Sequence, residues 1–140
     1  MIDIRVTKSG VMPRIRVDES ARGVLTSIEQ KHLPFSMQRV YTLTGVSDSS
    51  QERGAHAHRA TDQVMYVVQG ALTLHLDDGA TKQDVRLTSA DEGVRLGPAL
   101  WHSMSDFTPD CVALVIASAP YDESDYIRDY EEFKRHVSSV

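Results

Sequence analysis

The residues of this chain best suited to catalysis or metal binding are two histidines separated by a single residue, His56 and His58. In a β-strand, residues i and i+2 project from the same face, so the two imidazoles are expected to point to one spot. A third histidine, His102, follows the glycine- and proline-containing segment 97–101. Because imidazole titrates near neutral pH and also binds metals, these residues could form an acid–base pair or a metal site.

The residue five positions after His58 bears on the choice between these chemistries. It is Gln63, at a place where a carboxylate would complete a common set of metal ligands. An amide oxygen is neutral and offsets none of the charge of Fe(II) or Mn(II), although three histidines alone can hold zinc. Metal binding, acid–base catalysis and ordinary barrel-lining histidines all stay open, and the residue chemistry favours acid–base catalysis.

Most of the remaining chain predicts β-strands, which would position these histidines. Alternating or β-branched segments occur at 2–6, 23–29, 37–46, 63–68, 71–76, 84–89 and 111–118, with a shorter strand inside 91–102. Asp78 and Gly79 form a strong hairpin-turn signal, and the polar segment 44–54 predicts a loop. The pattern predicts an all-β sandwich or barrel.

The last segment departs from this pattern and predicts one short helix. Asp122 or Ser124 could cap its start, and the basic residues 134–136 lie near its end. Its apolar side chains recur at helical spacing: Tyr126, Ile127, Tyr130, Phe133 and Val137. We therefore expect a C-terminal helix that docks on the sheets through this stripe.

Composition narrows the class of protein. The chain has 140 residues, 41% hydrophobic and 25% charged, which predicts one soluble domain over residues 1–140. A net charge of −5 argues against nucleic-acid binding, and no apolar run is long enough for a membrane span. The N-terminal residues lack the apolar core of a signal peptide, so a cytoplasmic location is expected. The single cysteine, Cys111, predicts a buried structural thiol.

The spacing of the chemical motifs resembles that of the cupin superfamily. The histidine pair, Gln63, Gly70 and the 97–102 turn ending in His102 match its two motifs, with glutamine at the usual glutamate position. The resemblance implies an all-β cupin, a double-stranded β-helix or jelly roll, with a short C-terminal helix.

Longer stretches resemble one cupin family more closely, the sugar-nucleotide 3,4-ketoisomerases that act on dTDP-4-keto-6-deoxyglucose. They include RGAHAH (53–58), DQVMYVVQG (62–70), GPALWH (97–102), LPFSMQRVY (33–41) and YDESDYIRDYEEF (121–133). This resemblance implies a homodimer with exchanged N-terminal strands and a reaction that needs no metal or organic cofactor. The ketone would move from C4 to C3 for 3-amino-3,6-dideoxy sugar biosynthesis.

The family assigns catalysis to the pair that corresponds to His56 and His58. Removal of the C3 proton, acidified by the C4 ketone, would give an enediol that is reprotonated at C4, so a base and an acid must sit at neighbouring carbons. The sequence leaves open which histidine is the base, and whether the product has the galacto or the gluco configuration. Tyr41, His102 and Gln63 are candidate donors to the developing oxyanion, provided that strand 37–46 lines the same cavity.

Three further residues are candidates for binding the nucleotide and sugar. Arg53 and Arg39 could bind the diphosphate, because a guanidinium forms bidentate hydrogen bonds with phosphate oxygens. Trp101 could stack on thymine or the sugar, and a packed core aromatic is an equal alternative.

Other functions compatible with a cupin remain as rivals. One is a 3,5-epimerase acting on the same dTDP-4-keto sugar, and a second is a metal-dependent cupin enzyme. The third is a non-enzymatic sugar-binding cupin, disfavoured because no DNA-binding module accompanies it.

Overall fold

The computed structural model describes residues 2–139. Its strands are β1 (Val11–Met12), β2 (Ile15–Asp18), β3 (Val24–Ser27), β4 (Arg39–Thr44), β5 (Arg53–His58), β6 (Gln63–Gln69), β7 (Ala71–Asp77), β8 (Lys82–Thr88), β9 (Gly93–Leu96), β10 (Trp101–Ser105), β11 (Val112–Ala117) and β12 (Tyr126–Ile127). The α-helix α1 spans Tyr130–Ser138. Short 3₁₀ helices occupy Ser20–Arg22, Gln30–His32 and Glu123–Asp125.

Two five-stranded antiparallel sheets dominate the molecule. One has the strand order β1-β9-β6-β11-β4, and the other has the order β12-β5-β10-β7-β8. In β7 and β8, buried and more exposed residues alternate, as expected for strands with one face on a core. Leu72 and Leu74 from one sheet share a core cluster with Met65, Val94 and Val115 from the other. This two-layer arrangement with a short terminal helix confirms the predicted all-β class.

The prediction of a strand over residues 2–6 is wrong, because this segment forms no β-ladder. Side chains satisfy its backbone instead: the Arg5 N–H donates to Gln83 Oε1 at 2.8 Å, and the Thr7 N–H donates to Asp78 Oδ2 at 2.8 Å. Val6 is buried, and Ile4 packs against the main core. The alternation in this segment therefore reflects burial of its apolar side chains rather than strand pairing.

The predicted start of the C-terminal helix is also wrong. Tyr126 and Ile127 form a strand, and α1 begins only at Tyr130, with Asp129 accepting a hydrogen bond from the Glu131 N–H at 3.3 Å. Asp122, predicted as a possible cap, instead caps the preceding 3₁₀ helix.

The apolar stripe survives this change because β12 and α1 share one small core. Ile127 and Phe133 pack there with Ala57, and all three are fully buried. We call residues 121–129, which lie between β11 and α1, the C-terminal arm. The arm returns to pair with β5, so that Tyr126 lies opposite His58.

The turn between β6 and β7 depends on Gly70, the glycine of the first cupin-like motif. Its φ of +74° lies in the left-handed region, which favours glycine. A Cβ at this position would lie 2.3 Å from Thr108 Oγ1 and 2.9 Å from the Cys111 Cα. Both conformation and packing therefore require glycine. Within residues 2–139 no helix is sufficiently long and apolar to cross a membrane.

Candidate active site

The backbone just before His56 has an uncommon conformation. Gly54 and Ala55 have φ values of +86° and +63°, and the left-handed region is unusual for alanine. On the facing strand β10, the register shifts between His102 and Ser103. This irregularity leaves His56 directly opposite His102, and such bulges commonly re-aim a side chain next to a site.

The three histidines form a single cluster. The ring centroid of His56 lies 5.1 Å from that of His58 and 4.8 Å from that of His102. The centroids of His58 and His102 are 6.1 Å apart. His58 and His102 are each only 3% exposed, whereas His56 is partly buried. The i, i+2 spacing thus brings the two imidazoles together as predicted, and the turn after Gly97 adds the third.

Burial keeps these imidazoles uncharged at neutral pH. Burial, together with the neighbouring His58 and Arg128, lowers the pKa of His56 to about 4. Burial and the two adjacent imidazoles lower the pKa of His102 to about 3. Burial also lowers the pKa of His58, although the hydrogen bond and charge of Asp125 act in the opposite direction. A neutral imidazole has one nitrogen lone pair that can accept a proton.

Hydrogen bonds orient two of the rings and leave several polar atoms unpaired. His58 Nδ1 lies 3.1 Å from Asp125 Oδ2, and His102 Nδ1 lies 3.1 Å from the Leu100 carbonyl oxygen. His56 Nδ1, His58 Nε2 and Gln63 Nε2 are buried and have no hydrogen-bond partner among residues 2–139. Buried polar groups are normally satisfied, so these atoms mark where a polar ligand or water fits.

A cavity of about 480 Å³ opens beside the histidines. What we call its buried end is formed by His56, Met65, Leu96, His102 and Val115. What we call its rim is formed by Arg39, Glu52, Arg53 and Arg128. Tyr41 and Tyr126 also line the cavity. One end therefore presents neutral imidazoles among apolar side chains, and the other presents guanidinium groups.

Aromatic rings hold two of the rim arginines in place. The Arg39 guanidinium lies 4.4 Å from the ring centroid of Tyr41, and that of Arg128 lies 4.3 Å from the centroid of Tyr126. Arg128 also forms an ion pair with Glu123 at 2.8 Å. Cation–π contacts of this kind order a flexible side chain without neutralising its charge.

Tyr126 also packs against His56 and His58. Its ring centroid lies 4.8 Å from that of His56 and 4.4 Å from that of His58. The C-terminal arm therefore supplies one side of the histidine cluster.

The sequence matches a family model described as FdtA, WxcM-like, C-terminal, over residues 7–138. It is also 43% identical over 121 residues to the TDP-4-oxo-6-deoxy-α-D-glucose-3,4-oxoisomerase of Aneurinibacillus thermoaerophilus, covering 86% of each chain. The chain belongs to the FdtA family of sugar-nucleotide 3,4-ketoisomerases. The family resemblance drawn from the sequence is thereby confirmed.

Solved structures of this family share the fold. A variant of the 3,4-ketoisomerase QdtA from Thermoanaerobacterium thermosaccharolyticum, in complex with TDP-4-keto-6-deoxyglucose, matches with a TM-score of 0.89 and 32% identity, covering 96% of this chain and 97% of that one. The TDP-quinovose 3,4-ketoisomerase WlaRB from Campylobacter jejuni matches with a TM-score of 0.84 and 33% identity, over 93% and 99%. The RmlC epimerase of Mycobacterium tuberculosis, at 14% identity and TM-score 0.73 over 89% and 70%, shares the fold alone. The cupin prediction is confirmed.

Most of the binding residues predicted for this family member lie around one cavity. His56, His102, Tyr41, Arg39 and Arg53 line it. His58 packs against His56, and Gln63 Oε1 accepts a hydrogen bond from the Tyr41 hydroxyl at 2.5 Å.

Trp101 does not line the cavity, which corrects its prediction as a substrate-stacking residue. Its ring centroid lies 5.3 Å from that of Tyr130 and 5.6 Å from that of Phe133, so it packs against α1. Trp101 and His102 are neighbours on a strand and therefore point to opposite faces of the sheet, which removes Trp101 from the site.

Sequence reasoning missed the contribution of the C-terminal arm. Asp125, Tyr126 and Arg128 contact or line the site. Asp125 and Arg128 were not singled out from the sequence, and Tyr126 was assigned to packing of the helix, with a place beside the nucleotide as the alternative. A signal was present, because YDESDYIRDYEEF carries much of the family resemblance and contains polar side chains that a docking stripe leaves unexplained.

The histidine cluster also has the composition of a metal site. The ligand nitrogens of His56, His58 and His102 lie within 4.8 Å of one another, which is close enough to surround one ion. Three neutral nitrogens suit zinc, whereas Fe(II) and Mn(II) usually take a carboxylate as well. The amide oxygen of Gln63, the remaining candidate ligand, instead accepts a hydrogen bond from the Tyr41 hydroxyl.

Proposed function

We propose that this protein moves the ketone of dTDP-4-keto-6-deoxyglucose from C4 to C3, for the biosynthesis of 3-amino-3,6-dideoxy sugars. The observation that carries the proposal is a pair of neutral imidazoles beside a cavity with a cationic rim: His56 lines the buried end of the cavity, and His58 packs against His56. The names of the A. thermoaerophilus and T. thermosaccharolyticum relatives support the substrate and the reaction.

The two histidines supply the proton transfers in this proposal. One removes the proton from C3, and the other donates or orients the proton that arrives at C4. Because burial holds the pKa of both rings below the ordinary value, each begins the reaction in its neutral form and can accept a proton. The reaction as proposed uses side chains only, and the absence of a cofactor remains a prediction.

Tyr41 is the best-placed donor for the oxygen that becomes negative in the enediolate. Its hydroxyl lies in the cavity wall, and burial is the main reason that its pKa rises to about 12. The phenol therefore keeps its proton at neutral pH and can donate a hydrogen bond to substrate. In the free protein the hydroxyl donates its hydrogen bond to Gln63 Oε1. His102 and Gln63 remain candidate donors in the same region.

The rim is suited to the diphosphate. Arg39 and Arg53, the proposed diphosphate ligands, line the cavity there, and Arg128 adds a third guanidinium. Guanidinium groups recognise phosphate oxygens through charge-assisted hydrogen bonds. With the diphosphate at the rim, the hexose extends towards the histidines.

We also propose the homodimer with exchanged N-terminal strands. Strands β2 and β3 form a separate two-stranded sheet whose apolar residues are exposed in a single chain: Val17 is 44%, Val24 51% and Leu25 52% exposed. Exposed apolar patches of this kind commonly mark interaction surfaces. Leu25→Asp is expected to shift the mass measured by light scattering from dimer to monomer, whereas Lys31→Glu is not.

A cytoplasmic location stays a prediction.

The test is to incubate the purified protein with dTDP-4-keto-6-deoxyglucose and follow the sugar by proton NMR. A ketone at C3 supports the isomerase, and inversion at C5 supports the rival epimerase. Trapping the product with a 3-aminotransferase would give its C4 configuration. A non-enzymatic sugar-binding protein would bind the nucleotide sugar and leave it unchanged.

A metal-dependent cupin enzyme is a second candidate, because three histidine nitrogens converge. If activity disappears with a chelator and returns with zinc, this candidate replaces the metal-free mechanism. Unchanged turnover after chelation and metal analysis supports catalysis by side chains alone.

A further inference from the structure

Asp125 reaches the catalytic pair from a distant part of the sequence. Its Oδ2 lies 3.1 Å from His58 Nδ1, across a sequence separation of 67 residues. The side chains of His58 and Asp125 are only 4% and 11% exposed. The pair is therefore shielded from water. A hydrogen bond between an imidazole and a carboxylate is stronger in such an environment than in water.

The surroundings of Asp125 fix its role as an acceptor. Its Oδ1 accepts from the Ala60 N–H at 2.8 Å, and its Oδ2 accepts from the Thr61 N–H at 3.2 Å. Burial raises the pKa of Asp125, but these hydrogen bonds and that of His58 outweigh burial and leave the pKa below its ordinary value. An ionised carboxylate can only accept hydrogen bonds, so the proton between the two residues belongs to His58 Nδ1.

The other ring nitrogen of His58 then carries the lone pair. His58 Nε2 is buried and has no hydrogen-bond partner in the described part of the chain, while the ring packs against His56. In a neutral imidazole with Nδ1 protonated, Nε2 is the one atom able to take up a proton.

We infer that Asp125 is a positioning residue that holds His58 as the Nδ1–H tautomer and so makes His58 Nε2 the base at C3. This inference rests on the proposed ketoisomerase function, and it leaves His56 to deliver or orient the proton at C4. A carboxylate that fixes the tautomer and orientation of a catalytic imidazole, and stabilises the imidazolium, has this effect in other enzymes.

The proton and electron balance is closed within the sugar and the two histidines. The C3–H bond breaks, its proton goes to His58 Nε2, and its electron pair forms the C3–C4 double bond as the C4 carbonyl oxygen becomes an enediolate oxygen. In the second half, the C3 hydroxyl loses its proton and its oxygen becomes the C3 ketone, while the electron pair of the C3–C4 double bond takes a proton at C4. The C4 enediolate oxygen takes a second proton and becomes a hydroxyl, so the two protons lost from C3 and its hydroxyl equal the two gained by C4 and its oxygen. The reaction needs no external oxidant or reductant.

Asp125→Asn is the sharpest variant, because it keeps the shape of the side chain. The amide oxygen can retain the shorter bond from the Ala60 N–H, which turns the NH₂ group towards His58. A donor at that place requires the lone pair on Nδ1, which puts the proton on Nε2 and removes the base. We expect kcat to fall by ~100-fold or more, with KM changed by less than about 3-fold.

Asp122→Asn is the matched control. Asp122 lies on the same arm and caps the 3₁₀ helix Glu123–Asp125, and its side chain accepts from the Ser124 N–H rather than from a histidine. If the two variants have the same kcat and similar thermal midpoints, Asp125 only anchors the arm and the inference is overturned. A large kcat loss confined to Asp125→Asn, at a similar thermal midpoint, supports it. Asp125→Glu, which keeps the carboxylate, should recover part of the lost kcat.

Nitrogen-15 NMR of the histidine rings tests the tautomer without using activity. The His58 signals, identified by their loss in His58→Asn, are expected to report protonated Nδ1 in the unaltered protein and protonated Nε2 in Asp125→Asn. Unprotonated Nδ1 in the unaltered protein would overturn the inference even if the enzyme isomerises the sugar. Conversely, a protein that does not turn over dTDP-4-keto-6-deoxyglucose but has the expected tautomers would refute the proposed function alone.

Discussion

The two ends of the cavity handle charge in opposite ways. At the buried end, desolvation lowers the pKa of His102 to about 3 and that of His56 to about 4, so these basic groups are neutral. At the exposed rim, the ion pair with Glu123 raises the pKa of Arg128 above its ordinary value. Burial therefore keeps the basic groups at one end neutral, and hydration with ion pairing keeps those at the other end charged. Substitutions at the buried end, at the wall between the ends and at the rim should therefore have different effects.

The largest effect is expected from His56→Asn at the buried end. Removal of one member of the proton-transfer pair should lower kcat by ~1000-fold, because general acid–base catalysis contributes about 10²–10⁴. KM should change little, since the rim is intact. Steady-state kinetics with His75→Asn as control measures the effect, because His75 bonds to Asp84 and Ser105 outside the cavity. A variant with more than about a tenth of the original kcat would contradict the proposed role.

Tyr41→Phe tests the wall between the two ends. Loss of the hydroxyl should lower kcat by ~100-fold if it donates to the enediolate oxygen. Tyr66→Phe is the matched control, since Tyr66 is also buried and its hydroxyl donates to the Pro13 carbonyl oxygen at 3.2 Å. Equal losses of kcat in the two variants would show that only stability had changed, so thermal midpoints are measured in parallel.

Arg53→Ala should weaken the rim and leave the buried end intact. Loss of one charge-assisted hydrogen bond to phosphate is expected to raise KM by ~10-fold, with kcat nearly constant. Arg135→Ala, an exposed arginine on α1, serves as control for net charge. Added salt should raise KM in the parent enzyme and have a smaller effect in Arg53→Ala, because screening acts on the same contact. A fall in kcat at constant KM would place Arg53 with the catalytic groups instead.

The last prediction concerns how the free energy of unfolding depends on pH. The pKa values of His56 and His102 lie below the ordinary 6.5 in the folded protein, so between that value and about 4 the unfolded chain binds more protons. The free energy of unfolding should therefore be unaffected by these groups above pH 6.5 and fall as pH decreases below it, by at most ~1.4 kcal/mol per pH unit for each histidine. Urea unfolding at several pH values should give a shallower slope for His102→Gln. An unchanged slope would mean that His102 is not protonated on unfolding.

Local patterns predicted the elements whose position depends on neighbours in the sequence. The i, i+2 spacing of His56 and His58 predicted their shared face, and alternation predicted strands such as β7 and β8. The Asp78 and Gly79 pair predicted the turn that joins those strands. Period-2 and glycine signals need no knowledge of distant contacts, so they could be read from one sequence.

Long-range pairing explains what the sequence did not reveal. Tyr126 and Ile127 fit a helical stripe equally well, and only the open edge of β5 makes them a strand. The same pairing carries Asp125 to His58, a contact that no local pattern encodes. Trp101 fails for a different reason: it is the neighbour of His102 on β10, so alternation turns it to the opposite face, where it packs against α1. Tertiary contacts override local propensity at Tyr126 and Ile127.

The contact between Asp125 and His58 also has a consequence for biosynthesis. The strand that carries the histidines leaves the ribosome well before the arm that orients them, since 67 residues separate the two partners. The sheets can begin to assemble while His58 still lacks its carboxylate acceptor, because domains gain structure during synthesis. On the inferred role of Asp125, catalytic competence arises late in translation, and a truncated product would retain most of the folded core while lacking an oriented base.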